Sequence, residues 1–223
     1  MIIVHHLNNS RSQRILWLME ELGLDYEIKK YQRDAKTMLA PPELRAIHPL
    51  GKSPVITDGD TMVAESGAII EYLIERYGKG RFIPPAGTPD KLLYTYFLHY
   101  AEGSAMPPLL MKLVFDKVET SPMPFFIKPI AKGIAQKVKS SYINPQIKQN
   151  LEYLEAELGK RTWFAGPEFT AADIQLSFVL EAASARGGLS EKYPKLFDFL
   201  KRIHARPAYQ AALERGGKYE LMK

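Results

Sequence analysis

Hydrophobic positions in the first 80 residues alternate between two periods. A short β-rich run at 2–7 is followed by a polar turn at 8–10 and then by apolar positions at helical spacing over 15–22. Gly23 stands where a glycine that ends a helix belongs, and 26–29 alternate as a second strand. Strand, helix and strand in this order predict a right-handed βαβ unit with parallel strands.

The regular pattern is then interrupted and resumes. Residues 33–51 carry three prolines and are expected to be irregular. The β-rich runs 55–57 and 61–63 flank a turn centred on Gly59, which is a strong hairpin signal. Ser66 then opens an amphipathic helix. This order predicts a small mixed sheet with helices on both faces.

The second half shows helical patterns without a convincing strand. Long helical spacings cover 91–118 and 132–158, and bends are expected at the prolines inside them. A further helix at 174–185 is apolar nearly all round and should be the buried centre of this half. We therefore expect an α/β domain over 1–80, a linker over 81–90 and an all-helical domain over 91–223. In front of the buried helix, Thr170 and Asp173 resemble a capping box, and we interpret them as a structural cap.

The composition restricts the chemistry that this chain can perform. Its 223 residues include no cysteine, which excludes disulfides, thiolate metal sites and a cysteine nucleophile. Any sulfur chemistry must therefore use the sulfur of a ligand. The five histidines show no spacing typical of metal ligands, and adjacent His5 and His6 point to opposite faces of a strand. We expect no metal site.

The charge is mildly basic. Lysine and arginine number 30 against 25 acidic residues, and the basic residues are densest over 112–148. We interpret this density as a solvated helix face, because no arginine-rich or aromatic-interleaved pattern accompanies it. The sequence shows neither an apolar run of about 18 residues nor a typical signal peptide. We expect a cytoplasmic protein with neither nucleic acid nor a membrane as partner.

Three motifs in a fixed order carry a family resemblance. Residues 48–56 read HPLGKSPVI, 65–69 read ESGAI, and 164–174 read FAGPEFTAADI. With an α/β half followed by a helical half, they resemble the cytosolic glutathione transferases. The resemblance spans essentially the whole chain and is strongest to bacterial and fungal members whose first turn reads like NSRSQR, as 9–14 do here. It implies a thioredoxin-like domain that binds glutathione and a helical domain with a pocket for a second, apolar substrate.

The resemblance also implies which residues bind glutathione. Pro54 would be a cis-proline, which lets the backbone of Val55 pair with the cysteinyl backbone of the tripeptide. Glu65 and Ser66, at a helix N-terminus, would take the ammonium and carboxylate of the γ-glutamyl group. Beside the cis-proline, Lys52 would meet the glycyl carboxylate, and Ser53 belongs to the same binding segment.

The group that activates the glutathione thiol is expected in the first turn. Strand residues 5–7 contain no tyrosine, so the tyrosine-dependent members are excluded. We prefer Ser10 as the hydrogen-bond donor to the sulfur, with Asn9 and Ser12 as alternatives. Arg11 is a further candidate, because a guanidinium stabilises a thiolate electrostatically.

The second-substrate pocket is expected on the helical half, at Met106, Leu110 and Phe115. The implied activity is conjugation of the glutathione thiolate to apolar electrophiles, a detoxification reaction, with reduction of organic hydroperoxides as a further activity. A non-catalytic carrier or interaction module with the same fold is the alternative. The resemblance also implies a homodimer.

Overall fold

The N-terminal half forms four strands and three helices in the computed structural model, which describes residues 1–34, 37, 39–219 and 221. Their order is β1 (Ile2–Leu7), α1 (Ser12–Leu22), β2 (Tyr26–Tyr31), α2 (Pro42–Ile47), β3 (Val55–Asp58), β4 (Thr61–Ala64) and α3 (Ser66–Tyr77). The predicted alternation of strands and helices is confirmed.

One element corrects the prediction, because α2 lies inside the segment that was expected to be irregular. Pro42 occupies the start of this helix, where a backbone N–H is not needed, and Leu44 is buried. A helix is recognised in a sequence by apolar residues that recur at helical spacing, and one buried residue does not provide such a repeat. Positions 35, 36 and 38 of this segment lie outside the described residues, as do 220, 222 and 223 of the predicted helical domain.

The sheet has the strand order β2-β1-β3-β4. Strands β1 and β2 are parallel, with Ile2 opposite Tyr26, which confirms the predicted βαβ unit. Strand β3 runs antiparallel to both β1 and β4. The Ser53–Pro54 peptide bond in front of β3 is cis, as expected. Because β1 and β3 are the central strands, the turn after β1 and the loop before β3 lie next to each other.

Seven helices follow in the described part of the second half. They are α4 (Pro89–Tyr100), α5 (Met106–Thr120), α6 (Lys128–Val138), α7 (Asn144–Lys160), α8 (Ala171–Ala182), α9 (Pro194–His204) and α10 (Pro207–Gly216). The segment expected to be a linker is packed against both halves: Arg81 donates to the Leu22 carbonyl at 2.8 Å, and the Phe82 carbonyl accepts from the Ala171 N–H at 2.9 Å. The exact domain boundaries stay a prediction.

The bends predicted at prolines take the form of π-helical turns. Ala101–Ala105 joins α4 to α5 just before Pro107, and Lys139–Ile143 joins α6 to α7 just before Pro145. A proline ring clashes with the carbonyl four residues earlier, and a widened turn moves that carbonyl aside. A third π-helical turn, Ala183–Gly187, ends the helix that was predicted over 174–185.

The core is continuous between the two halves. Every residue of α8 is buried, which confirms its predicted central place. In α1, the fully buried Trp17 packs against Phe169, at 5.6 Å between ring centroids, and against Tyr209 of α10, at 5.1 Å. The first helix of the chain is therefore covered by its last one.

Asp173 acts as the expected structural cap. Its carboxylate accepts hydrogen bonds from the Thr170 N–H at 2.8 Å, the Thr170 hydroxyl at 3.0 Å and the Phe164 N–H at 3.0 Å. Complete burial raises the pKa of this carboxyl to about 6, and the three donors act against that shift. The carboxylate satisfies backbone groups that would otherwise be buried without an acceptor.

We expect Asp173→Ala to destabilise the protein by about 3 kcal/mol, since two buried N–H groups lose their acceptor. For a chain of this size the loss corresponds to a fall in Tm on the order of 6–12 °C. Thermal unfolding followed by circular dichroism measures it. Asp198→Ala is the matched control, because that aspartate is 61% exposed on α9. A Tm for Asp173→Ala equal to that of the control would contradict the role assigned to the cap.

Candidate functional site

A cavity of about 730 Å³ opens between the two halves of the chain. Its walls come from the turn after β1, the loop before β3, the start of α3, and the helices α5 and α8. The structure therefore brings most of the predicted site residues together. Those on the wall are Asn9, Arg11, Lys52, Ser53, Pro54, Glu65, Ser66, Met106 and Leu110.

Four predicted residues do not line the cavity: Val55, Phe115 and the two first-turn serines, Ser10 and Ser12. Val55 is fully buried because it opens β3 at the centre of the sheet, opposite His5 on one side and Ala64 on the other. Phe115 packs against the core from a different face of α5. The cavity-facing side of that helix carries Met106 and Leu110 at helical spacing, and position 115 does not continue that series.

The two serines of the first turn face inward. Ser10 is 4% exposed, and its hydroxyl oxygen lies 2.7 Å from that of Ser12 and accepts the Ser12 N–H at 3.2 Å. Ser12 is fully buried and lies 2.9 Å from Nδ1 of His6. Burial, followed by the charge of Lys30, lowers the pKa of His6 to about 4, so its imidazole is neutral at neutral pH. These hydroxyls hold the turn from within and do not line the cavity.

Asn9 and Arg11 are the first-turn residues that reach the cavity. Asn9 has φ 49°, in the left-handed region that asparagine tolerates better than most residues. Arg11 stacks its guanidinium over the ring of Phe178, 5.1 Å from the centroid, and donates to Glu102 at 2.8 Å. A carboxamide and a cation thus stand at the N-terminal end of α1.

The connection between β4 and α3 is strained. Glu65 has φ 70°, an uncommon value for a residue with a side chain, and it lies exposed on the cavity wall. The next residue, Ser66, begins α3, whose first-turn N–H groups lack partners within the helix. The arrangement holds a carboxylate, a hydroxyl and free backbone donors side by side.

Arg14 is the functional-site residue that the sequence analysis missed. Its side chain is 1% exposed, and it donates to the Ser66 hydroxyl at 2.7 Å, to Glu102 and to the Gln175 carbonyl. It thereby joins α1, α3, α8 and the π-helical turn after α4. A signal was available, because Arg14 precedes Leu18 by four residues and so lies on the buried face of α1.

The cavity is electrically positive. Burial alone would raise the pKa of Glu102, but the charges of Arg14 and Arg11 outweigh it and hold that pKa below its usual value. Glu102 therefore serves the two arginines as a counter-ion. Among the described residues that line the cavity, two are acidic, Glu65 and Glu102, and six are basic: Arg11, Arg33, Arg45, Lys52, Lys117 and Arg186.

The described part of the chain contains no group of three potential metal ligands. The helices within the same ranges are too short or too polar to cross a membrane.

Comparison with known proteins identifies the family of this chain. The N-terminal domain of glutathione S-transferases matches residues 1–75, and the C-terminal domain of the same family matches 116–207. The chain belongs to the glutathione S-transferase family. A glutathione S-transferase 1 of Saccharomyces cerevisiae is 36% identical over 222 residues, covering 96% of this chain and 94% of the relative. A glutathione S-transferase 3 of Schizosaccharomyces pombe is 37% identical over 217 residues, covering 96% and 88%.

Two solved structures share the fold of this chain. A glutathione S-transferase from Actinobacillus pleuropneumoniae is 36% identical and superposes with a TM-score of 0.80, covering 100% of this chain and 96% of that one. A sphingomonad glutathione S-transferase in complex with glutathione is 22% identical, covers 96% and 98%, and has a TM-score of 0.73. The latter shows that the fold is shared.

We expect Glu102→Gln to destabilise this transferase-family protein by about 2 kcal/mol at pH 7, because the buried Arg14 loses its counter-ion. The pKa of Glu102 is depressed in the folded state. Its contribution is therefore present above the unfolded-state pKa of about 4.3 and disappears as the pH falls through the folded-state value. Urea unfolding in steps from pH 7 to pH 4 and below measures the difference between variant and wild type.

Glu152→Gln is the control for this experiment, since Glu152 is 57% exposed and pairs with Lys148 at 3.5 Å on the surface. Its effect should stay below about 0.5 kcal/mol at every pH. A loss in Glu102→Gln that does not shrink at acidic pH would rule out the counter-ion role.

Proposed function

We propose that this protein conjugates the thiolate of glutathione to apolar electrophiles. The observation that carries the proposal is the two-sided cavity. One side is built from α2, the cis-proline loop and the start of α3 and carries Arg45 and Lys52, and the other presents apolar side chains of α5 and α8 beside Lys117 and Arg186. Glutathione is anionic and extended, whereas the electrophile is apolar, so each side suits one reactant. Membership of the glutathione S-transferase family supports the same reaction.

The γ-glutamyl group of glutathione would bind at the start of α3. The Ser66 hydroxyl oxygen accepts from Arg14, so its hydrogen would be directed to the ligand carboxylate. The first-turn N–H groups of α3 would complete the contact. Glu65 would pair with the ammonium group, and its strained backbone directs the side chain to the wall.

The other end of glutathione would lie along the loop before β3. Lys52 and Arg45 line this end of the cavity and would meet the glycyl carboxylate. The wall residues Ser53 and Pro54 would lie beside the cysteinyl unit. The sulfur would then lie near the N-terminal end of α1, between Asn9 and Arg11.

For activation of the sulfur we propose Asn9 and Arg11 in place of Ser10. A free thiol has a pKa of about 8.5 and is mostly protonated at neutral pH. A carboxamide N–H and a nearby guanidinium both favour the thiolate, and the thiol proton leaves to solvent. The hydroxyl of Ser10 is instead engaged within the protein, 2.7 Å from the Ser12 hydroxyl and donating to the Ser53 hydroxyl at 3.4 Å.

The electrophile would bind on Met106, Leu110 and Leu113 of α5 and on Phe178 of α8. Phe178 also contacts the Arg11 guanidinium, so the apolar reactant would lie directly beside the thiolate. The thiolate attacks the electrophilic carbon and forms the S–C bond as that carbon's bond to its leaving group breaks, and the leaving group departs to solvent with the electron pair. The enzyme supplies orientation and charge stabilisation. We further propose a cytoplasmic homodimer, on the basis of the family.

Glutathione binding is the direct test of this function. We expect Ser66→Ala to weaken binding about tenfold or more in calorimetric titration, because a hydrogen bond to a charged group contributes about 1.5–3 kcal/mol. Ser177→Ala is the matched control: Ser177 is buried on α8 and bonds to the Ile174 carbonyl at 2.7 Å. Failure of the wild-type protein to bind glutathione would favour the non-catalytic alternative.

The activating group is identified by the pH dependence of kcat/KM with a model electrophile. We expect Asn9→Ala to raise the apparent thiol pKa and to lower the rate at pH 6.5 about tenfold or more, whereas the rate at high pH changes little. Arg11→Gln should shift the profile in the same direction, since it removes a positive charge. A full-size shift in Ser10→Ala, with a normal profile for Asn9→Ala, would restore Ser10 as the donor.

A further inference from the structure

A cluster of exposed apolar side chains covers the connection between α5 and α6 and one face of α6. Phe125 is 86% exposed and Phe126 64%, far more than a phenylalanine that packs in a core. Ile127, Ile130 and Ile134 continue the cluster along α6, since positions i, i+3 and i+7 share a helix face. They are 42%, 64% and 59% exposed. We call these five residues the apolar tip.

The apolar tip is separate from the surface that α6 uses for packing. Among the described residues of α6, Ala135 is the one that is buried. Ala131 and Val138, three or four positions away on the same face, are partly covered. The helix thus packs through small residues on one face and presents large isoleucines on another. Large apolar patches exposed in this way mark interaction sites.

Lysines are frequent in the same segment of the chain. Residues 120–151 contain five lysines and no acidic residue. Lys139 pairs with Asp116 at 2.7 Å and with Glu119 at 2.9 Å, both on α5. Three others are exposed on α6: Lys128, Lys132 and Lys137. The surface therefore combines aromatic and aliphatic groups with uncompensated positive charge.

We propose that the apolar tip and its lysines dock this protein on the surface of an anionic lipid bilayer. A lysine-rich helix with isoleucines on one face, preceded by two exposed phenylalanines, suits the headgroup region, with the apolar groups inserted and the lysines able to reach lipid phosphates. The sequence alone led us to expect no membrane partner. The exposure of the two phenylalanines and three isoleucines changes that expectation, and none of the described helices needs to span the bilayer.

A second copy of the chain fits this surface less well. In a two-fold symmetric contact the same patch meets itself. Lys128, Lys132 and Lys137 would then approach their own counterparts, and like charges facing each other across an interface weaken binding. A bilayer with negative headgroups offers an apolar interior and the complementary charge together.

Sedimentation of the full chain with lipid vesicles tests the proposal. We expect binding to vesicles in which a third of the lipid is phosphatidylglycerol, and much weaker binding to phosphatidylcholine alone. Phe125→Ser/Phe126→Ser should lower the partition coefficient at least about tenfold. The triple variant Lys128→Gln/Lys132→Gln/Lys137→Gln should lower it at least about tenfold on the anionic vesicles.

Two control variants separate docking from general charge and folding effects. Phe125→Leu/Phe126→Leu keeps apolar side chains and should still bind. The second control removes equal charge from exposed lysines in and beside α9: Lys192→Gln/Lys195→Gln/Lys201→Gln. It should bind nearly as the wild type does. Conjugation of a water-soluble electrophile should be unchanged in all four variants, so this test is independent of the proposed activity.

Three results would overturn the proposal. The first is a wild-type protein that stays in the supernatant with the anionic vesicles. The second is tip variants that sediment as the wild type does. The third is a gel-filtration shift in which Phe125→Ser/Phe126→Ser dissociates an oligomer, which would assign the surface to a second copy.

Discussion

The guanidinium of Arg14 is a positive charge with almost no contact with water, and the site depends on how that charge is neutralised. A buried ion is costly unless it is paired and hydrogen-bonded. Glu102, the Ser66 hydroxyl and the Gln175 carbonyl meet that requirement, and each comes from a different element. The position of α3 relative to α8 is therefore fixed by the same contacts that orient the hydroxyl proposed to bind glutathione. The Arg14 guanidinium thus contributes both to the stability of the fold and to the proposed recognition of the ligand.

The absence of cysteine bears on which ligand the positive cavity must bind for sulfur chemistry. A protein without a thiol of its own can perform sulfur chemistry only on a sulfur that it binds. The six basic residues on the wall attract an anionic thiol compound before any directed contact forms. Arg11 belongs both to this positive field and to the contact with Phe178, so it marks the boundary between the anionic and apolar reactants.

Much of the fold follows from periodicity, because long amphipathic and alternating patterns are governed by burial. The motifs also located the loop before β3 and the start of α3 correctly. Side-chain direction within a turn was not predictable: Ser10 and Arg11 are adjacent in the sequence, yet the first faces the interior and the second the cavity. That choice depends on contacts of the Ser10 hydroxyl with Ser12 and with Ser53, which is 43 positions away in the chain. The burial of Arg14 was predictable from the helical pattern, since it shares a face with Leu18 and Leu22. The pattern does not reveal which groups a buried arginine contacts. The exposure of Phe125 was not predictable either, because apolar residues next to a helix usually belong to the core.

The place of Trp17 has a consequence for how the two halves of this chain can be exchanged. Its ring packs against Phe169 and against Tyr209 of α10. The burial of a side chain in α1 therefore requires residues from the other half of the chain. An N-terminal half joined to the helical half of another protein would need aromatic side chains in the positions of Phe169 and Tyr209. The two halves, which look modular in the sequence, therefore share one aromatic cluster.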